Sequence, residues 1–245
     1  MNDPGVAADT APAPQTVSRW EDYIDVFFSP VELFRRRAAD RVAPPLLTLL
    51  ALSVVLYLVL LPANMMIMRA SVAENPQAAE MMAGRLGTFM AIAGSIGQPI
   101  MYLFILTLTA ILLWITGRFA DVRIEFSRAM LIATYGGFIF LLAQTVALAL
   151  IMVLGADSID MVRSMSFGPL RFTGTTDMNK LVLAFIGRID LFAIWQAAIW
   201  AIGLRTVYQL STRRAAIIAA VVWLLLTIPN LVGLLLSGLS GAPPA

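Results

Sequence analysis

The sequence contains no cysteine and no histidine among its 245 residues. Without cysteine the chain has neither disulfide bonds nor a thiolate nucleophile, and without histidine it lacks the usual general base of nucleophilic catalysis. Structural zinc sites, which are built mainly from these two residue types, are excluded as well. The sequence therefore predicts a protein that is not an enzyme and that holds no metal and no other cofactor.

Charge is also scarce. Charged residues make up 13% of the chain, roughly half of the share in soluble domains, whereas hydrophobic residues make up 60%. The 17 basic residues are spread between apolar runs rather than gathered in a patch, which argues against nucleic acid as a partner. These proportions predict an integral membrane protein whose main partner is the lipid bilayer.

Five apolar runs are each near or above the roughly 20 residues that cross a bilayer as a helix. They cover about residues 45–68, 88–117, 129–154, 184–208 and 215–238. The predicted fold class is all-α, a polytopic transmembrane bundle of five spans over residues 44–239 that is preceded by an interfacial amphipathic segment. Five spans cannot form two equal inverted halves, which argues against a transporter of the repeat type.

The distribution of basic residues predicts the orientation of these spans. If the loops alternate between the two sides, six of the basic residues lie opposite the N-terminus: Arg69, Arg85, Arg163, Arg171, Lys180 and Arg188. The other basic residues lie on the N-terminal side, and basic residues accumulate in cytoplasmic loops. We therefore expect the N-terminus in the cytoplasm and the C-terminus outside. The near absence of lysine is typical of GC-rich genes and favours a bacterial source, hence the cell inner (plasma) membrane.

The region before the first span divides into a tail and two short helices. Residues 1–15 are rich in Ala, Pro and Asp and are expected to be disordered. A short external tail is expected at residues 240–245. In residues 16–43, Ser29 with Glu32 fits a capping box, and Pro30 stands at the favoured first position of a helix. Two cytoplasmic interfacial helices are therefore predicted to meet at Ser29.

Aromatic and basic side chains of these two helices are predicted to bind the membrane surface. The rings would insert at the level of the headgroups, and the arginines would attract anionic lipids. The alternative is a plain positive-inside anchor that has no specific lipid or protein ligand. The residues concerned are Trp20, Phe27, Phe28, Phe34, Arg35, Arg36, Arg37 and Arg41.

The fourth apolar run carries a single carboxylate, Asp190, near one end. Ala193, Ala197 and Ala201 recur every four residues and so share one helix face, where small side chains let another helix approach closely. This alanine stripe is predicted to be a helix-packing seam, with Asp190 on the same face one turn earlier. The alternative role of Asp190 is a contact between the helix end and lipid headgroups.

Polar residues in four spans are predicted to lie at one depth. Distances of about 1.5 Å per residue from the basic end of each span place them in the outer third of the bilayer. Prolines beside two of them would kink the helices and expose carbonyl groups there. The resulting polar layer would hold the helices together or bind a ligand. It comprises Gln98, Gln144, Asp190 and Asn230, with Arg188 as a partner of Asp190.

Three segments resemble the Yip1 domain family: FFSPVELFRRR, GRFADVRIEFSRAMLIATYGGFIFLLAQ and RIDLFAIWQAAIWAIGLRTVYQLSTRRAA. The resemblance covers about residues 20–238 and implies a five-helix membrane domain. Eukaryotic members are associated with Golgi and ER membrane traffic and with small GTPases of the Rab type, and the family offers no catalytic residues to transfer. The positions that carry the resemblance are Gly117, Phe126, Ala133 to Tyr135, Asp190, Phe192, Trp195, Gly203 and Ser211.

Two functions fit these features. The first is a non-enzymatic membrane scaffold or adaptor of the Yip1 type, which recruits other membrane proteins or a second copy through the N-terminal segment. The second is a small transporter or channel for a lipid, an ion or a small solute, with the polar layer as its site. The two differ in whether the polar layer carries a ligand.

Overall fold

The computed structural model describes residues 19–72, 76–154, 166–172, 182, 185–187 and 189–240. Within these residues all regular elements are helices, which confirms the predicted all-α fold class. The predicted tail at residues 1–15 and the part of the external tail after Ser240 lie outside the described residues, as does Arg188.

Two short helices precede the first long one. Helix α1 spans Arg19–Phe28 and α2 spans Pro30–Arg37. The prediction that two helices meet at Ser29 is confirmed, with Pro30 at the start of α2, where its missing N–H would have no partner in the helix. The predicted capping box is not formed, because the Ser29 side chain makes no capping hydrogen bond.

The first predicted span is bent into two helices. Helix α3 covers Ala43–Val59 and α4 covers Leu61–Val72, and their axes differ by 64°. Pro62 explains the break, because it has no N–H to donate to the carbonyl of Leu58 and its ring clashes with that carbonyl. The Leu58 carbonyl instead accepts from the backbone N–H of Leu60. A further short helix, α5, covers Pro76–Ala83.

Two long helices follow. Helix α6 covers Arg85–Phe119 without interruption at Pro99, and α7 covers Phe126–Leu154. Asp121 lies in the turn between them with a left-handed φ of 56°. The N–H of Val122 bonds back to the carbonyl of Gly117 at 2.9 Å, and this bond closes the end of α6.

The last helices are α8, Leu191–Tyr208, and α9, Thr212–Ser240, with a short 3-10 helix at Pro169–Phe172 before them. The prediction that the fourth span starts near residue 184 is wrong, since α8 begins only after Asp190, whose backbone is extended. Gln209 ends α8 in a left-handed conformation, and α9 starts three residues later.

Helix α7 is the centre of the bundle. Residues 129–139 are buried at every position, so this part of α7 is surrounded on all sides. It packs against α6 and α8 and also contacts α1, α3 and α4. The starts of α3, α7 and α9 and the ends of α6 and α8 lie at one end of the bundle, which we call the N-terminal end because the turn after α2 lies there.

The exterior of the bundle is apolar. Three helices, Ile92–Phe119, Phe126–Val153 and Leu191–Tyr208, are long and apolar enough to cross a membrane, and the bent pair α3 and α4 is a fourth candidate if it forms one span. Large side chains such as Ile96, Ile100 and Phe104 face outwards. In water such a surface would aggregate, so it is a surface for lipid. The predicted count of five stays a prediction, because the side chains of α9 are described only as far as Ile228.

Candidate functional site

A buried ion-pair network joins α1 to α2. Asp22 of α1 is 2% exposed, and its carboxylate accepts from Arg37 Nε at 2.8 Å and from Arg36 Nη2 at 3.3 Å. Arg36 also pairs with Asp25, and Arg37 Nη1 donates to Asp40 at 3.2 Å. The hydrogen bond and charge of Asp25 raise the pKa of Arg36, against the opposing effect of burial, so this arginine stays charged. The network is therefore a fixed clasp between the two helices.

Aromatic contacts fix this helix pair to the bundle. Phe34 of α2 is fully buried and packs edge-on against Tyr135 of α7, with ring centroids 5.6 Å apart. Phe27 packs edge-on against Trp195 of α8 at 5.9 Å. The Tyr23 hydroxyl forms a 2.8 Å hydrogen bond with the Thr48 hydroxyl of α3. Helices α1 and α2 are thus an integral part of the fold.

These contacts correct part of the predicted membrane-surface set. Phe34 is in the core, where it fills space beside Gly203 of α8, and Phe27 is half-buried against Trp195. Arg36 and Arg37 are held by carboxylates rather than exposed to headgroups. The sequence was misleading here because an amphipathic helix has the same pattern whether its apolar face meets lipid or protein.

The outward face of α1 is apolar. Trp20, Ile24 and Phe28 recur every four residues and are 75%, 61% and 81% exposed. Ile24, which lies between the two aromatic residues at helical spacing, belongs to the apolar side predicted for this segment. Arg35, which pairs with Glu32, and Arg41 are also exposed. We call Trp20, Ile24 and Phe28 the α1 stripe.

Two members of the predicted polar layer do meet. Gln144 Oε1 of α7 accepts from Gln98 Nε2 of α6 at 3.3 Å. The same oxygen accepts from the hydroxyl of Tyr102 at 2.9 Å, and the sequence reasoning missed this residue. Tyr102 lies one turn after Gln98 on the same helix face, so its spacing was the available signal. The side chain of Asn230, like Arg188, lies outside the described residues.

Asp190 is not part of that cluster. Its backbone is extended, and it caps α8: Oδ1 accepts from the N–H of Phe192 at 2.9 Å. Oδ2 accepts from the N–H of Phe167 at 2.6 Å. A second bond, which the N–H of Leu191 donates to the carbonyl of Phe167 at 3.4 Å, also joins the segment around Phe167 to the start of α8. The prediction that Asp190 lies inside the helix on the alanine stripe is therefore wrong, and its role here is to cap the helix and hold the preceding loop.

Two close contacts between α7 and α8 occur at glycines outside the alanine stripe. Ala193, Ala197 and Ala201 are only partly buried. A Cβ added at Gly136 of α7 would overlap the Trp200 ring. A Cβ at Gly203 would lie 2.9 Å from both Ile132 and Phe34. Packing between α7 and α8 therefore depends on Gly136 and Gly203, while the alanine seam stays a prediction.

A hydrogen bond also crosses this contact. Gln196 Nε2 of α8 donates to the carbonyl of Gly136 at 3.2 Å. The neighbouring Trp200 Nε1 is buried without a hydrogen-bond partner, because its ring is pressed against the backbone of Gly136. Within the described part of the chain, no three acidic side chains come together as a metal site would require. The Gln196 side chain therefore joins α8 to the backbone of α7.

An apolar helical bundle with an outward-facing lipid surface, against which two short helices are docked, defines a polytopic α-helical membrane protein. A model of the Yip1 domain matches residues 24–234, from within α1 to within α9. The chain belongs to the Yip1 domain family. No curated protein and no solved structure matches it.

Proposed function

We propose that this protein is a non-enzymatic membrane adaptor of the Yip1 type, which presents the α1 stripe to another membrane protein. The observation that carries the proposal is the contrast between the two faces of α1. Its inner face is fixed by the Asp22 clasp and by Tyr23, whereas Trp20, Ile24 and Phe28 on the outer face are largely exposed.

The fixed geometry of α1 supports a binding role. A helix that is already folded and held in place loses little conformational entropy when a partner binds it. Tryptophan and phenylalanine are also the residue types that contribute most to binding at interfaces. A stripe with a repeat of four residues fits one apolar face of a partner helix.

Site-specific photo-crosslinking in native membranes tests this proposal. A photoreactive phenylalanine analogue at Phe28 should give a discrete protein adduct, which mass spectrometry would identify as another membrane protein. The same analogue at Phe119, which is 87% exposed at the N-terminal end of the bundle, is the matched control and should not give that adduct. Adducts with lipid alone at both positions would contradict the adaptor proposal, and adducts with a second copy would replace the partner by self-association.

A small transporter or channel is the second candidate. It is favoured by the Gln98, Tyr102 and Gln144 cluster and by the bent pair α3 and α4, since broken spans often border ligand sites. In this reading Gln144→Leu would abolish flux of the transported species in reconstituted vesicles without loss of fold. The adaptor proposal instead expects Gln144→Leu to weaken only the packing of α6 on α7.

A further inference from the structure

A small cleft opens at the N-terminal end of the bundle, on the opposite side of α1 from the α1 stripe. It lies between the start of α1, the turn after α2 and the first residues of α3; it holds only about 10 Å³, room for about one water molecule, and is partly open to the outside. Its floor includes Tyr23 and Tyr135, and its rim includes Arg19, Arg41 and Pro44.

The charges of this cleft are unequally satisfied. Arg37 lies in the wall and binds both acidic residues of the cleft, Asp22 at 2.8 Å and Asp40 at 3.2 Å. Arg19 and Arg41 have no carboxylate within ion-pair distance in the described part of the chain. The two acids are therefore occupied, while two guanidinium groups border the cleft without a counter-ion from the described residues.

An apolar track leads away from the cleft along α3. Starting from Pro44 in the cleft, the residues Leu47, Val55 and Leu58 follow at spacings that keep them on one side of the helix. Their exposed fractions are 65%, 53% and 52%. A ligand whose charged group lies at the mouth of the cleft could thus lay hydrocarbon chains along α3.

We propose that the mouth of this cleft binds the phosphate of an anionic phospholipid, with Arg19 and Arg41 as its hydrogen-bond donors and α3 as the surface for its acyl chains. Guanidinium groups bind phosphate oxygens with paired, charge-assisted hydrogen bonds. The lipid is preferred over a free phosphate because the apolar track begins at the cleft. The site uses none of the residues of the α1 stripe, so it is independent of the adaptor proposal.

Lipid titrations of the purified full-length protein in mild detergent test this site. Phosphatidylglycerol should raise Tm in a saturable manner, whereas phosphatidylcholine should not. The double variant Arg19→Gln with Arg41→Gln should weaken the apparent affinity for phosphatidylglycerol about tenfold or more, as expected for the loss of charge-assisted hydrogen bonds. Arg35→Gln is the matched control, because Arg35 is an exposed arginine of the same segment outside the cleft and should leave the affinity unchanged.

Several outcomes would overturn the proposal. Equal weakening by Arg35→Gln would show diffuse attraction to the basic segment instead of a site. Equal Tm shifts with phosphatidylcholine, whose headgroup has no net charge, would show that the negative charge of the headgroup does not contribute to binding. Protection by inorganic phosphate at the same concentrations would assign the cleft to a soluble anion. If the double glutamine variant does not fold, Arg19→Lys with Arg41→Lys keeps both charges, and an unchanged affinity in that variant would exclude the paired hydrogen bonds.

Discussion

At the scale of single residues, glycine controls the distance between α7 and α8. Gly136 lies beneath the Trp200 ring, so Gly136→Ala forces the ring or the helix to move. We expect a loss of about 1 to 3 kcal/mol in stability from overpacking. Gly97→Ala is the control, since an added Cβ at Gly97 in α6 meets nothing within 4 Å, and alanine is the better helix former.

Thermal unfolding in detergent measures both variants. Gly136→Ala should unfold at a lower temperature than the parent, and Gly97→Ala at the same or a slightly higher temperature. If Gly136→Ala is as stable as the parent, the Trp200 ring of α8 does not pack closely on Gly136 of α7.

Asp190 gives a second residue-scale prediction, because its two oxygens bind two different backbone N–H groups. Asp190→Asn retains one acceptor oxygen, so it should keep the cap of α8 and lose the bond to Phe167, at a cost of about 1 kcal/mol. Asp190→Leu loses both bonds and should cost about 2 to 3 kcal/mol. The check is the order of the unfolding temperatures, parent above Asn above Leu; identical values for parent and Leu would remove the capping role.

How far the sequence predicts individual roles depends on the range of the interaction. Gln98 and Gln144 were assigned to one depth by counting residues along their helices, and they do bond to each other. Asp190 was assigned to the outer third of the bilayer by the same count, as a residue within the fourth span. An aspartate at that position equally suits an N-cap, and the partner that decides between the two, the N–H of Phe167, is remote in sequence.

At the scale of elements, the N-terminal helices depend on their clasp. Breaking a buried ion pair by removing one partner costs about 3 to 5 kcal/mol. The loss of stability in Asp22→Asn should lie near or below the lower end of that range, because Arg36 keeps Asp25 and Arg37 keeps Asp40 as a partner. Glu32→Gln, which removes an exposed pair with Arg35, should change stability by less than about 1 kcal/mol.

Hydrogen exchange of residues 19–37 is the suitable readout for these two variants. In Asp22→Asn, exchange in α1 and α2 should accelerate while exchange in the buried part of α7 stays slow. Uniform acceleration through the whole bundle would show instead that the clasp stabilises the core and is not specific to the helix pair.

The same scale shows which element boundaries could be predicted. The meeting of α1 and α2 at Ser29 followed from the local chemistry of Pro30. The break at Leu60 also has a local cause, the missing N–H of Pro62, yet Pro99 lies inside an unbroken helix. A proline therefore marks a position where a helix is weakened, and tertiary contacts decide whether it bends.

At the scale of the whole molecule, the number of spans fixes whether the two termini lie on the same side of the membrane, and the basic residues predict that the N-terminus is cytoplasmic. With five spans, alkaline phosphatase fused after Ala245 should lie outside the cytoplasm and be active. A fluorescent protein fused before Trp20 should lie in the cytoplasm and fluoresce. Four spans would place both reporters on the same side. Paired fusions to alkaline phosphatase and to a fluorescent protein that folds only in the cytoplasm would measure this directly.

The contact between Phe27 and Trp195 has a consequence for biosynthesis. The N-terminal helices leave the ribosome first, but the part of their docking surface that lies on α8 is made only after most of the chain. At a synthesis rate of about 5 to 20 residues per second, Trp195 is made on the order of ten to thirty seconds after Phe27. During that interval the face of Phe27 that later packs on Trp195 is uncovered, so the docking of α1 is completed only after most of the bundle has been made.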